Sequence, residues 1–405
     1  MSTQTTSLSR RIRVLQVISG MHIGGAEQVI VEIIRGLDRN RFDVGVACTR
    51  GLGLLGEQLK SEGVDVTLAA PPSRHLRHLI PLYLYRQIRR FRADIVHSHT
   101  TPSMLHVGML GALRLLPPWV HTFHFGRYNG AVSSDHRRER YLGRRATQLV
   151  AVSESQRRAL IEHQGVAPEH ITTITNGVRP VTPLSAAEMV GIRADFAFRP
   201  EHLVIGCIAV LTEQKGITHL LDSAKRLCES LPHARFLIIG GGPLEQPLKD
   251  KAALLGLADR VVFTGWKQDA ARLLPGVDVF VMPSLWEAMP LALLEAMAAR
   301  RQIIVTDVGD NRAIVDNGRC AVVIAPGNAD AITNAVLRIA GNPRESAAMA
   351  GRAQQRFEER FTTRHMIAAH AQLYERLAVD RRRVSAIASE QVTALDAHAD
   401  GAGAK

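Results

Sequence analysis

The sequence predicts an α/β protein made of two doubly wound, parallel-sheet domains that face each other across a cleft. Two observations point there. Short runs of Val, Ile and Leu alternate with helical stretches, once in each half of the chain, and that alternation builds parallel strands joined by crossover helices. Near 176–200 the pattern breaks at Asn176-Gly177-Val178 and at Pro180, Pro183 and Pro200, as a connection between domains does. The 405 residues leave room for two to three domains of about 100–200 residues each.

In the first half, strands are expected at 12–19, 43–48, 64–68, 94–97, 119–122 and 148–152, with helices between them that include 26–36 and 76–91. The second half restarts with a strand at Leu203–Leu211 and a helix near 216–230. Strands at Arg235–Ile239, Val261–Thr264, Val277–Met282, Ile303–Thr306 and Ala321–Ile324 follow. Helices near 245–255, 290–299, 328–340 and 343–357 fill the gaps, and one around 364–378 closes the series. The expected division is a Rossmann-like, acceptor-side domain at 1–178, a linker at 179–200 and a second, ligand-binding Rossmann-like domain at 201–363. A C-terminal helix at 364–380 and a mobile tail at 381–405, which lacks a periodic face, complete it. Doubly wound domains bind ligands outside the carboxyl ends of their strands, so the cleft is the expected site.

Apolar residues make up 46% of the chain and charged residues 22%, which excludes global disorder. The four cysteines, Cys48, Cys207, Cys228 and Cys320, form no CxxC pair, so neither a disulfide scaffold nor a zinc site is expected, and a reducing cytosol fits. No segment reaches the roughly 18–20 apolar residues that span a bilayer. The run Val14–Ile18 after Arg10, Arg11 and Arg13 is too short for a signal-peptide core. It reads as a first strand, and the protein as cytoplasmic. The net charge of +12 is uneven: residues 1–180 hold 24 Lys and Arg against 13 Asp and Glu, and residues 181–405 hold 26 against 25. The first half is therefore expected to meet something anionic.

Two motifs carry chemistry. Gly24-Gly25-Ala26-Glu27 follows a strand and opens a helix, where backbone amides approach a phosphate closely and the helix dipole favours it. A purely steric turn reads equally well at that point. The spacing is not G-x-G-x-x-G, and no P-loop lysine follows. The second motif is sharper. Glu287-Ala288-Met289-Pro290 leads from the Val277–Met282 strand into a helix that carries Glu295 about one and a half turns in. Opening amides suit a sugar diphosphate, and the two carboxylates can hold sugar and ribose hydroxyls by charge-assisted hydrogen bonds. The plainer reading is one capping and one surface glutamate.

This stretch resembles the E-x7-E motif of glycosyltransferase family 4, retaining enzymes of the GT-B fold. The similarity covers roughly 12–378. The family's elements appear in order as Gly24-Gly25-Ala26-Glu27, Asp94–His99, Thr122-Phe123-His124, Ala151–Ser155, Asn176-Gly177-Val178, Lys215-Gly216, Gly240-Gly241-Gly242-Pro243, Phe263-Thr264-Gly265, Glu287–Glu295 and Thr306–Gly309. The resemblance implies three catalytic residues. Glu287 would hold donor-sugar hydroxyls, Lys215 would neutralise the departing diphosphate, and His124 would stand near the transferred sugar. Gly24, Gly25, Gly242, Ala288, Met289 and Leu291 would surround the sugar diphosphate, Trp266 would contact the base and Glu295 the ribose. No metal or other cofactor is implied. The partners implied are a nucleotide sugar, with UDP or GDP left open, and a glycan or polyprenyl-linked acceptor. The setting would be cell-surface polysaccharide or glycolipid synthesis.

The chain departs from the family pattern at several positions. Val210 replaces an arginine five residues before Lys215, removing one of two phosphate cations. Ala288-Met289 replaces Gly-Phe, Gly309-Asp310 replaces Gly-Gly, Ala313 stands where glutamate is common, and Arg300 and Gln302 replace Gly-x-Pro. A catalytically silent module, a nucleotide-sugar epimerase or a phosphorylase on the same fold are the alternatives. A phosphorylase would need a lysine anchoring pyridoxal phosphate in a longer chain. His97 and His99 are read as cleft-wall residues without a metal, and His121 as structural.

Arg74, Arg77, Arg86, Arg89, Arg90 and Arg92 occur with no acid between them, interleaved with leucines, and Arg137, Arg138, Arg140, Arg144 and Arg145 form a second cluster. Arginines covering core-facing leucines are one reading. Attachment to an anionic membrane surface, on the inner face of the cytoplasmic membrane, is the other. Nucleic acid is not expected as a partner: charge alone favours it, and aromatic content is 5%.

Overall fold

The computed structural model describes residues 10–124, 134–182 and 184–381, so most of the 381–405 tail lies outside the described residues. Seven strands, β1 (Ile12–Gly20), β2 (Phe42–Gly51), β3 (Val66–Leu68), β4 (Ile95–His99), β5 (Trp119–Phe123), β6 (Gln148–Ala151) and β7 (Ile171–Thr173), form one parallel sheet in the order β3-β2-β1-β4-β5-β6-β7. Six more, β8 (Leu203–Ile208), β9 (Ala234–Ile239), β10 (Val261–Phe263), β11 (Val279–Met282), β12 (Gln302–Thr306) and β13 (Val322–Ile324), form a second in the order β10-β9-β8-β11-β12-β13. Helical crossovers cover both faces of such sheets, which is why the strands read as short apolar runs. Winding reverses between β1 and β4 and again between β8 and β11. There the crossover helices part and leave a crevice above the strands' carboxyl ends.

The polypeptide passes twice between the domains, and the passes run side by side. Val178 donates its amide to the Phe361 carbonyl at 3.0 Å and accepts from the Thr363 amide at 2.9 Å. The helix that follows, 363–381, returns to the first domain. Its Met366, Leu373, Tyr374 and Leu377 pack with Val14, Val29 and Ile33. Full burial of each large apolar side chain is worth about 1.5–3 kcal/mol, so the last helix is part of the first domain's core.

The 179–200 connection holds a helix that its prolines conceal, Ala186–Ala194. Ser185 and Glu188 form a reciprocal capping box. Arg193 anchors the helix to the second domain by bonding the Gly276 carbonyl at 3.1 Å and Asp278 at 2.5 Å. β4 runs on to His99 rather than ending at 97, so its two histidines lie within a fully buried strand. Among the described residues, no helix is long and apolar enough to cross a membrane.

Candidate active site

The loop after β8 reaches the end of β11 because Gly216 permits it. Gly216 has φ +62°, and a Cβ there would stand 2.2 Å from the Pro283 carbonyl oxygen. The Leu285 amide fixes the same approach by donating to the Gln214 carbonyl at 2.7 Å. Lys215 thereby meets Glu287, with Nζ 2.5 Å from Oε1. Ser284 Oγ donates to the same oxygen at 2.8 Å, and Gln214 Nε2 spans the Trp286 carbonyl at 2.9 Å and Glu287 Oε2 at 3.4 Å. Two residues given separate tasks from sequence are thus an ion pair, with the Glu287 side chain 6% exposed and that of Lys215 21%. A lysine ammonium has three N–H bonds, so this contact leaves donors to share. Between 209 and 216 Lys215 is the sole basic residue; Val210 contributes no charge.

Beyond Glu287 the backbone is held from below. Gly309, after β12, has φ +53°, and a Cβ there would lie 2.4 Å from the Glu287 carbonyl oxygen and 3.3 Å from that of Ala288. Met289 is buried. Its sulfur accepts from the Asn176 amide at 3.2 Å, and its carbonyl accepts from Asn176 Nδ2 at 2.9 Å. The methionine side chain thus ties the motif to the interdomain connection instead of lining the crevice. Asp310, in place of a second glycine, reaches the other domain and accepts from the Ser155 amide at 3.3 Å.

Pro290 is the N-cap of the Leu291–Ala298 helix, so Leu291 supplies its first helical amide, and no side chain caps this end. Across the cleft, Gly24 is the N-cap of the Gly25–Gly36 helix, again without a side-chain cap. A Cβ on Gly25 would lie 3.9 Å from Leu291 Cδ1. Two helix starts without an N-cap side chain, one from each domain, therefore converge, and each contributes positive potential, although at the first the Glu27 carboxylate accepts from its own backbone amide. Glu295 lies one turn further along the second helix. Burial pushes its carboxyl up to about 7, and the charge of Asp269 adds to this. Gly242 lies against the Leu211 backbone, while Trp266 is half exposed and packs so closely on Gly241 that a Cβ there would be 2.8 Å from the indole.

His124, just past β5, stands apart from that group. Its Nε2 is 2.8 Å from His99 Nδ1, and burial pushes it down to about 3. Sequence reasoning missed what holds His99: Gln16, whose Oε1 is 2.7 Å from His99 Nε2. The signal was there, a glutamine inside the apolar run Val14–Ile18, and a buried strand keeps such a group only when it is hydrogen-bonded. His121 Nδ1 pairs with Ser98 Oγ at 2.8 Å and is wholly buried. Among the described residues, no group of three or more His, Cys, Asp or Glu is arranged to hold a metal ion.

Residues 23–181 match the family model described as Glycosyltransferase Family 4, and residues 202–342 match Glycosyl transferases group 1. The chain is 26% identical over 347 residues to the Escherichia coli UDP-Gal:alpha-D-GlcNAc-diphosphoundecaprenol alpha-1,3-galactosyltransferase, covering 82% of this chain and 89% of that protein. It is 28% identical over 296 residues to the glycogen synthase of Mycobacterium tuberculosis, covering 71% of this chain and 69% of that one. Among solved structures, Anabaena HepE in complex with UDP-glucose superposes with a TM-score of 0.81 at 19% identity, over 90% of this chain and 100% of HepE.

Proposed function

The chain belongs to the family-4 type of GT-B glycosyltransferases, and from that premise we propose that it is a retaining enzyme moving a sugar from a UDP-sugar to a lipid-linked saccharide. The observation that carries the reading is the convergence of Lys215, Glu287 and two uncapped helix starts on one crevice. The diphosphate lies between the helix starts and Lys215, Glu287 holds sugar hydroxyls, Glu295 the ribose, Trp266 the base side, and His124 faces the sugar. Fixed amides and a cation stabilise charge where it develops on the leaving group. The bond from the anomeric carbon to the diphosphate oxygen breaks, and the acceptor oxygen bonds to that carbon on the same face. The departing diphosphate takes the acceptor's proton. No metal is needed in this scheme, since Lys215 and the amides carry the charge.

UDP is favoured because the Escherichia coli relative is named for UDP-Gal and HepE was crystallised with UDP-glucose. The same relative is named for a diphosphoundecaprenol acceptor, which suits the basic first half. There a cavity of about 120 Å³ is lined by Leu149, Leu160 and Val166 together with Arg140, Arg144 and the carboxylate of Glu139, and its apolar wall with two arginines favours an apolar chain with an anionic head. The same charge would hold the protein peripherally on an anionic membrane.

The test is nucleoside diphosphate release from UDP-galactose and UDP-glucose with bacterial lipid extract as acceptor. Glu287→Ala is expected to lower release by about 10²-fold or more, the range for losing one preorganised electrostatic contact. Undiminished release in the variant would remove the assignment, and NMR of the product's anomeric proton decides retention.

A further inference from the structure

An unbroken hydrogen-bonded run of polar side chains crosses the core of the first domain. Thr122 Oγ1 is 2.7 Å from His97 Nε2, His97 Nδ1 is 2.6 Å from the Tyr374 hydroxyl, and Gln16 Nε2 donates to that hydroxyl at 3.2 Å. Gln16 Oε1 then meets His99 Nε2 at 2.7 Å, and His99 Nδ1 meets His124 Nε2 at 2.8 Å. Gln16, His97, His99 and Tyr374 are wholly buried. His124 is the partly exposed end, and its Nδ1 has no hydrogen-bond partner among the described residues.

Such a run has a direction. A neutral imidazole offers one donor and one acceptor, so each bond fixes the next. Burial pushes His97 and His99 well below the ordinary histidine range, so the rings are neutral at pH 7. Gln16 turns its oxygen to His99, which makes His99 Nε2 the protonated nitrogen and Nδ1 an acceptor. His124 Nε2 must then carry the proton that bridges to His99, and His124 Nδ1 is bare. On the other side the Gln16 amide donates to Tyr374, whose proton goes to His97 Nδ1, and His97 Nε2 donates to Thr122. Reversing one bond would require reversing all of them, because a mismatch strands a buried donor or acceptor at a cost of about 1–3 kcal/mol.

We propose that Gln16 and Tyr374 are positioning residues for sugar transfer: they hold His124 as the Nε2–H tautomer, so that its bare Nδ1 accepts a hydrogen bond from a donor-sugar hydroxyl. This rests on the placement of the sugar beside His124 proposed above. Tyr374 also makes the last helix a contributor to the active site, 250 residues beyond His124 in sequence.

Long-range proton–nitrogen NMR of histidine-labelled protein at pH 7, assigned with His124→Gln, reads the tautomer without any need for activity. The wild type is expected to show His124 protonated at Nε2. Gln16→Met, close in volume, is expected to mix the tautomers and to lower kcat about tenfold, the worth of about one hydrogen bond. In a His124→Ala background Gln16→Met should cost nothing further, as coupled residues do. A wild type protonated at His124 Nδ1, or an equal loss in both backgrounds, overturns the proposal. An active wild type with an impaired His124→Ala but an unmoved Gln16→Met overturns it alone. Full turnover in His124→Ala would strike the sugar placement itself, and the proposal with it.

Discussion

Glu295, proposed above to hold the ribose, shows how burial tunes a carboxylate. Its folded-state pKa, pushed up to about 7, lies above the ordinary carboxylate range. The fold is therefore penalised progressively as pH rises from that range to about 7, and no further above it. With Glu295 on the ribose as proposed, the same shift governs the ligand: a carboxylate accepts hydroxyl hydrogen bonds more strongly than its protonated form. The KM for UDP-sugar is expected to fall as pH rises from 6 to 8, and Glu295→Gln is expected to flatten that dependence. An equal slope in the variant would detach Glu295 from the donor. Lys215, Glu287 and Glu295 were singled out from the sequence because their spacing from strand ends and glycines carries information. That Lys215 and Glu287 pair with each other was not, because the contact joins residues 72 apart through a backbone approach at Gly216 that sequence does not display. Gln16 and Tyr374, 358 positions apart, are the extreme case.

At the scale of elements, strands with long β-branched runs were legible to within a few residues. β7 was not: three residues, two of them threonine, give no periodic signal. The Ala186–Ala194 helix was missed for another reason. Its Ser185-to-Glu188 capping box is a readable start signal, but the flanking prolines outweighed it. The Ile80–Phe91 helix settles part of the basic stretch. Leu84, Ile88 and Phe91 are buried, whereas Leu82 is 50% exposed and Leu76, just upstream, 38%. Arg90 is committed to Asp65 at 2.7 Å, but Arg77, Arg86 and Arg89 are exposed without an acidic partner among the described residues. Exposed leucines between unpaired arginines suit an anionic lipid surface, at about 1 kcal/mol per basic residue near it. The protein is expected to sediment with phosphatidylglycerol-containing vesicles at low salt and to leave them at high salt. If it ignores such vesicles at low salt, the surface has another use.

At the scale of the molecule, two doubly wound domains were legible because each half repeats the same alternation and a Pro-rich break divides them. The exchange of the last helix was hidden. Nothing in 363–381 says that Met366, Leu373 and Tyr374 pack on β1 of the opposite domain, since an amphipathic stripe records that a face is buried but not against what. The consequence is mechanical. The domains are joined by two parallel passes at Val178 and Thr362, they touch where Leu291 packs against the cluster of Val14, Val29 and Ile33, and the crevice between them is bounded by helix starts from both sides. The central claim is that this crevice grips a sugar diphosphate. A structure of the protein with a UDP-sugar tests it most directly. The account predicts the diphosphate against the amides of Gly25 and Leu291 within reach of Lys215 Nζ, with sugar hydroxyls on Glu287. A UDP-sugar bound elsewhere, with that crevice empty, would contradict it.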